Sequence, residues 1–251
     1  MTDDELRVFW ESQTSSLNRS AAPEFYLHKA DEHAALMKPE EKAGGCIDLG
    51  CGAGELLYYF SDHAKVDTGL DYSRSMLDVA RRRLDGKSIT LTDADAFTYL
   101  PECTSPTWTT TGGLNQYLPA HRLADVVELF KVNGLARSFF LFDCVDPVRL
   151  AMLPCGIGYQ LMNMSERKPM SRLLRRSLRT LRNLLRVAQI VLLPRKQREW
   201  ARLPEEGMGY GYLPSFWRRQ ADAHQLNVEM VSSRYYEYRY HVILRKPGFD
   251  G

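Results

Sequence analysis

Short apolar runs alternate along the chain with segments whose apolar residues follow a helical period. Two helices are expected first, over 4–17 and 24–38. In the second, Pro23 and Glu24 make a helix start, and Phe25, Tyr26, Leu27, Ala30, Ala34, Ala35 and Leu36 supply an apolar face. Strands are then predicted over 45–49, 66–70, 88–92, 106–110 and 136–143, with helices over 54–63, 73–84 and 121–132 between them. Arg81, Arg82 and Arg83 with the following Gly86 suit the C-terminus of the helix over 73–84. From 148 to 212 the alternation is interrupted. It resumes with a helix over 214–224 and strands over 228–231 and 238–245. Alternation of this kind implies an α/β fold with a doubly wound, mostly parallel sheet.

One turn in this pattern carries chemistry. The apolar run ending in Asp48 and Leu49 is followed by Gly50-Cys51-Gly52-Ala53-Gly54-Glu55, and 56–60 resume as a helix. Glycines at 50, 52 and 54 let the backbone approach a ligand closely. The helix start turns its unpaired N–H groups to the same place. The next strand ends in Gly69-Leu70-Asp71, about twenty positions on, where such a fold places the carboxylate that takes two ribose hydroxyls. A dinucleotide-dependent dehydrogenase would show Gly-x-Gly-x-x-Gly, whereas these glycines alternate.

Asp48-Leu49-Gly50-Cys51-Gly52-Ala53-Gly54, with Gly69-Leu70-Asp71-Tyr72-Ser73 leading into Met76-Leu77, resembles the class I S-adenosylmethionine-dependent methyltransferases. The resemblance covers 44–150, with a weaker echo at the C-terminus. It implies a Rossmann-like, seven-stranded sheet closed by a C-terminal antiparallel hairpin. It also implies a single domain in four parts: an N-terminal helical lid (1–43), a cofactor-binding core (44–147), a basic helical insertion (148–212), and a last helix with two strands (213–251). S-adenosylmethionine would be the cofactor. Gly50, Cys51 and Gly52 would hold its methionine portion, Asp71 its ribose, and Asp95 with Ala96 its adenine, flanked by Tyr72 and Met76. For Asp95 and its neighbour Asp93, a helix or turn cap is the other reading. Asp48 would order the turn and the cofactor's amino group. Tyr26 and Lys29 would reach it from the lid, Lys29 pairing with its carboxylate, or would be a packed tyrosine and a solvated lysine. Thr111, together with Gly50, Asp71, Asp95 and Asp143, would line the rim. The segment from Leu114 to Leu118 would face the methyl group, although the acid common near the start of the family's fourth strand is missing here.

Charge changes the picture in one place. The net charge is only +2, yet residues 165–202 hold 12 lysines and arginines against Glu166 and Glu199, leaving 21 against 29 elsewhere. Within 171–193, Leu174, Leu178, Leu181, Leu185, Ala188 and Leu192 form a stripe beside arginines at 172, 175, 176, 179, 182 and 186, and Pro194 ends the run. A helix of that kind suits an anionic membrane surface. It also suits a packed or oligomer helix with solvated arginines. Nucleic acid is the least favoured partner, since aromatics are scarce on the helix and no RNA-binding module is visible.

The five cysteines form no Cys-x-x-Cys pair and no metal-spaced cluster, and the acidic N-terminus lacks an apolar signal segment. The expectation is metal-independent chemistry in the cytoplasm, peripheral at the inner face of the membrane if 171–193 docks there. A base is needed only for a protonated acceptor. His121, Asp143 and Asp146 are the candidates near the rim, with His28, His33 and His241 from the lid or the final hairpin. The acceptor expected is a hydroxyl of a saccharide or lipid-linked glycan. The alternatives are a quinone precursor, a soluble metabolite, or an adenosyl-binding module without turnover.

Overall fold

A computed structural model describes residues 23–152, 185, 199–202 and 209–248. The helix expected over 4–17 and the basic helix over 171–193 lie outside the described residues.

The sheet is built from β1 (Cys46–Leu49), β2 (Val66–Asp71), β3 (Thr90–Asp93), β4 (Thr107–Thr109), β5 (Ser138–Val145), β8 (Asn227–Ser232) and β9 (Arg239–Arg245). Its order is β3-β2-β1-β4-β5-β9-β8. The first five strands are parallel; β9 runs antiparallel to β5, and β8 antiparallel to β9. Strand order reverses between β1 and β4, and beyond the carboxyl ends of the strands at that point such sheets bind ligands. Every residue of β5 is buried, as a strand covered on both faces must be. Its side chains alternate. Phe139 and Leu141 join Trp108, Phe130, Phe216 and Trp217 on one face, while Phe140 and Phe142 join Leu57, Phe60 and Leu77 on the other.

The helices that position the site are α1 (Pro23–Ala35), α2 (Pro39–Ala43), α3 (Glu55–Phe60), α4 (Arg74–Arg83), α5 (Ala96–Tyr99), α6 (Leu114–Tyr117), α7 (Ala120–Val132), α8 (Pro147–Met152) and α9 (Pro214–His224). The helix expected over 24–38 ends at Ala35, and a separate short helix, α2, follows it from Pro39. Pro39 forces the preceding Lys38 into an extended conformation (φ −69°, ψ 156°), because the proline ring excludes the α region for its neighbour. The strand expected to end at 143 continues to Val145, with a bulge between Leu141 and Cys144. A two-stranded sheet of β6 (Trp200–Arg202) and β7 (Tyr210–Tyr212) stands inside the interval expected as a basic helical insertion, beyond the helix expected over 171–193. It is tied to the core: Tyr212 donates to the Leu118 carbonyl, and Tyr240 donates to the Tyr212 carbonyl at 2.6 Å.

Candidate active site

The turn after β1 has Gly50, Gly52 and Gly54 at φ of 67°, 56° and 73°, a left-handed region that glycine occupies without penalty. The turn is pinned from both sides. The Gly50 and Cys51 amides donate to the Leu70 carbonyl at 2.8 and 3.0 Å. Asp71 at the end of β2 accepts from the Gly52 amide at 2.8 Å with one oxygen and from the Ser73 amide at 2.9 Å with the other. Its carboxylate is thus aimed by backbone donors at the rim beside the turn. On the opposite side Gly112 lies so close that an added Cβ would stand 1.8 Å from the Gly50 carbonyl oxygen.

Asp48 is fully buried beneath this turn. It accepts from the Thr111 amide at 2.7 Å, the Thr109 hydroxyl at 2.9 Å and the Thr111 hydroxyl at 2.6 Å. It therefore couples β1 to the loop after β4. Burial pushes its carboxyl up to about 6 against the pull of these donors. Thr111 reaches the site through that bond. Cys51 and Met76 are buried, and burial drives the Cys51 thiol well above its usual range. Tyr72 stands half-exposed at the end of β2, and Ala96 half-exposed at the start of α5. Asp95 is exposed and caps α5, accepting from the Phe97 amide at 2.7 Å, the turn-cap geometry.

The lid helix brings Glu32 to the site beside the residues anticipated on it. Lys29 is buried and its ammonium is bonded to Asp143, not left for a cofactor carboxylate. His33 lies one turn on, its Nε2 3.4 Å from Asp143 Oδ2 and its ring stacked on Phe142 at 3.9 Å. Glu32 accepts from the Arg234 amide and, at 3.2 Å, from the Ser233 hydroxyl, and sits 3.3 Å from His241 Nε2. Residues i, i+3 and i+4 share one helix face, so α1 is clamped to the ends of β5 and β9 by Lys29, Glu32 and His33 together. Asp143 takes a left-handed φ of 57° at the bulge, a strained position for a non-glycine residue. The Lys29 and His33 contacts hold its carboxyl well below the usual range despite burial, while burial depresses His33 to about 4 and lowers Lys29.

Of the three candidate bases, Asp143 is therefore committed to Lys29. Asp146 caps α8 through the Val148 and Arg149 amides at 2.9 and 3.0 Å. His121 is exposed in the first turn of α7. His28 stacks on Tyr235 at 5.8 Å. His33, Asp143 and His241 come close enough to serve as a metal ligand set. The donor chemistry does not favour one. Lys29 already occupies Asp143, and His241 Nδ1 accepts from the Asp143 amide at 3.3 Å, which leaves the proton on Nε2 toward Glu32. The sequence reading missed Glu32 and Arg239; for Glu32 the spacing from Lys29 was the available signal.

Tyr26 lies parallel to Tyr59 with ring centroids 6.4 Å apart. With Pro23, Glu55, Tyr58 and Arg83 these rings line a cavity of about 420 Å³.

The alternating glycines, the Asp71 carboxylate and the switch point define one class. Residues 46–131 match the family model described as a methyltransferase domain. Solved structures share the fold. The magnesium protoporphyrin IX methyltransferase (ChlM) of Synechocystis PCC 6803 with bound SAH is 14% identical, covering 98% of this chain and 100% of its own, at a TM-score of 0.56. DesVI of Streptomyces venezuelae is 14% identical over 88% of this chain and 92% of its own, at 0.53. The DhpI–SAH complex is 12% identical over 97% of each chain, at 0.57. No curated protein matches the chain by sequence. Residues 46–131 thus match a methyltransferase domain within a fold these structures share, and the donor to weigh against the site is S-adenosylmethionine.

The residues present fit that donor. Nothing lies within 4 Å of the point a Cβ on Gly52 would occupy, and Asp71 flanks that open space. When bound, the donor supplies an electrophilic methyl group on a sulfonium sulfur, open to in-line displacement.

Proposed function

We propose that the protein methylates an oxygen of a saccharide, carried as a free or lipid-linked glycan and presented at an anionic membrane surface. The observation that carries the reading is the aromatic wall on the acceptor half of the rim, beyond the ends of β5 and β9. Tyr236 and Tyr238 lie 5.6 Å apart there, beside Arg239. Tyr117, at the end of α6, is near enough for the Arg239 charge to act on its phenol. Burial raises Tyr117 to about 12 and also raises Tyr236, so both hydroxyls keep their protons and donate. Flat rings with hydroxyl tips offer a sugar an apolar face and hydrogen bonds together.

The chain's contribution to the transfer is alignment. The turn and Asp71 fix one reactant, the tyrosine wall fixes the other, and α1 closes over both. As the carbon–oxygen bond forms and the donor's sulfur–methyl bond breaks, the acceptor's proton passes to water. Asp143 is not poised to take it. The membrane element of the proposal rests on the leucine–arginine pattern of 171–193. Among the described residues no helix is long and apolar enough to cross a membrane, so attachment would be peripheral.

The test supplies methyl-labelled S-adenosylmethionine with total saccharide and lipid fractions, and follows flotation with anionic vesicles. Alkali-stable label in a saccharide fraction and co-flotation through 171–193 are expected. Label confined to soluble, non-saccharide metabolites, or no flotation, would overturn the acceptor and membrane elements respectively.

A further inference from the structure

Arg239 opens β9 and pairs with Val145 at the carboxyl end of β5. Its Nε is buried without a hydrogen-bond partner, and it forms no ion pair among the described residues. Its guanidinium lies over the rings of Tyr236 and Tyr238 at 5.2 and 5.5 Å. Arg245, at the other end of the same strand, is an internal contrast. Its Nε and Nη2 donate to Glu41 at 2.8 and 3.2 Å, and its Nη1 to Glu229 at 3.1 Å. Where the arginine is structural, this fold gives it two carboxylates. At the rim no carboxylate among the described residues pairs with Arg239: the Asp143 carboxylate, whose charge acts on it, is already bonded to Lys29.

A sheltered guanidinium with no directly paired anion is costly, and its planar fork matches a carboxylate or phosphate in two parallel bonds. A second cation stands beside it. The Lys29 ammonium lies 5.0 Å from the centroid of the same Tyr236 ring, with Asp143 already committed to Lys29. The place is also right for an acceptor. Helix α6 begins with Leu114, whose Cβ would be 2.9 Å from a Cβ on Gly50, and ends with Tyr117, on whose phenol the Arg239 charge acts. One helical turn, about 5 Å, therefore carries the chain from the glycine turn to a residue within range of that charge.

We propose that Arg239 recognises the methyl acceptor, which carries a carboxylate or phosphate held by the guanidinium between Tyr117, Tyr236 and Tyr238. This deepens the function proposed above and rests on it: the acceptor becomes an acidic or phosphorylated saccharide. The anion is the handle, and a neighbouring oxygen receives the methyl group.

The test uses the full chain, labelled with nitrogen-15 at arginine and tyrosine and loaded with S-adenosylhomocysteine. Sodium phosphate, sodium acetate and, at matched ionic strength, sodium chloride are titrated in turn while the Arg239 Nε–H and the Tyr236 and Tyr238 backbone amide resonances are followed. A saturable shift with phosphate or acetate and none with chloride is expected, and whichever anion saturates at lower concentration identifies the group. The response of the two tyrosine amides should vanish in Arg239→Gln and weaken at least about tenfold in Arg239→Lys, which keeps the charge and loses the fork. Equal shifts with all three salts, or a saturable response that survives Arg239→Gln, would overturn the proposal. The wild-type titration decides it even where a variant fails to fold. Loading with S-adenosylhomocysteine in the same sample keeps the outcomes apart: loading without an anion response removes Arg239's role alone, and failure to load removes the site beneath it. The acceptor reading itself is judged separately, by the alkali-stable label.

Discussion

Replacing Asp48 by asparagine should make this protein more stable at alkaline pH, even though it removes a buried residue with three hydrogen-bond donors. The carboxyl lies between Thr109 and Thr111 with no exposed surface, and its folded value stands at about 6 against an ordinary 3.8. At about 1.4 kcal/mol per pH unit, ionising it in place costs the folded state about 3 kcal/mol. The sign follows from the raised value. The stabilising contribution is complete below 3.8, where folded and unfolded chains are both protonated, and is lost as pH rises through about 6. Asparagine imitates the protonated form at every pH. Its oxygen can accept from the Thr111 amide and the Thr109 hydroxyl, and the Thr111 hydroxyl can reverse to accept from its amide. Urea unfolding of wild type and Asp48→Asn across the acid-to-alkaline range should show curves that meet at low pH. They should diverge between pH 3.8 and about 6 and run parallel above it, the variant ahead by up to about 3 kcal/mol. A variant less stable than wild type at about pH 8 would refute the reasoning, because the charge-assisted bonds from the threonines would then outweigh the desolvation cost.

Other perturbations reach the rest of the site. Gly112→Ala puts a methyl group 1.8 Å from the Gly50 carbonyl oxygen, backbone against backbone. It should lower the melting temperature and abolish binding of S-adenosylhomocysteine, which differential scanning fluorimetry and calorimetry would read. Lys29→Met leaves Asp143 buried without its cation and should cost about 3–5 kcal/mol, measured by urea unfolding; an unchanged stability would mean that His33 and Arg239 suffice for Asp143. His33→Phe should flatten the acid side of the stability profile. The His33 value is depressed from 6.5 to about 4, so its contribution is present above 6.5 and is lost as pH falls toward about 4. A profile as steep as the wild type's would place that loss elsewhere.

The glycine turn and Asp71 were legible because a left-handed backbone and a close approach leave glycine in the sequence, and because the carboxylate stands at a fixed distance along the chain. What hid was whatever depends on distant pairing. Asp48 meets Thr111 across 63 positions, and Lys29 meets Asp143 across 114. Neither bond leaves a local mark, so Lys29 reads as a reaching lysine and Asp143 as a free base. The clamp on α1 was half visible: Lys29, Glu32 and His33 share a helix face, yet two of them are charged and one is titratable, which resembles a solvated surface until the sheet end is in place. The bulge that gives Asp143 a positive φ has no residue signature, since aspartate replaces the glycine such a position favours. A helix end before Pro39 was legible from the proline, but the apolar pattern running through Leu36 set that end at 38 rather than at Ala35. The β6–β7 pair was too short for its alternation to stand out.

The central claim is that the turn after β1 and the Asp71 carboxylate together hold S-adenosylmethionine. Isothermal titration of S-adenosylmethionine and S-adenosylhomocysteine into wild type and Asp71→Ala tests it most directly. The account predicts saturable binding of both compounds to the wild type and its loss in the variant, with the variant still folded by circular dichroism. Binding of equal strength in Asp71→Ala, or no binding of either compound to the folded wild type, would contradict it.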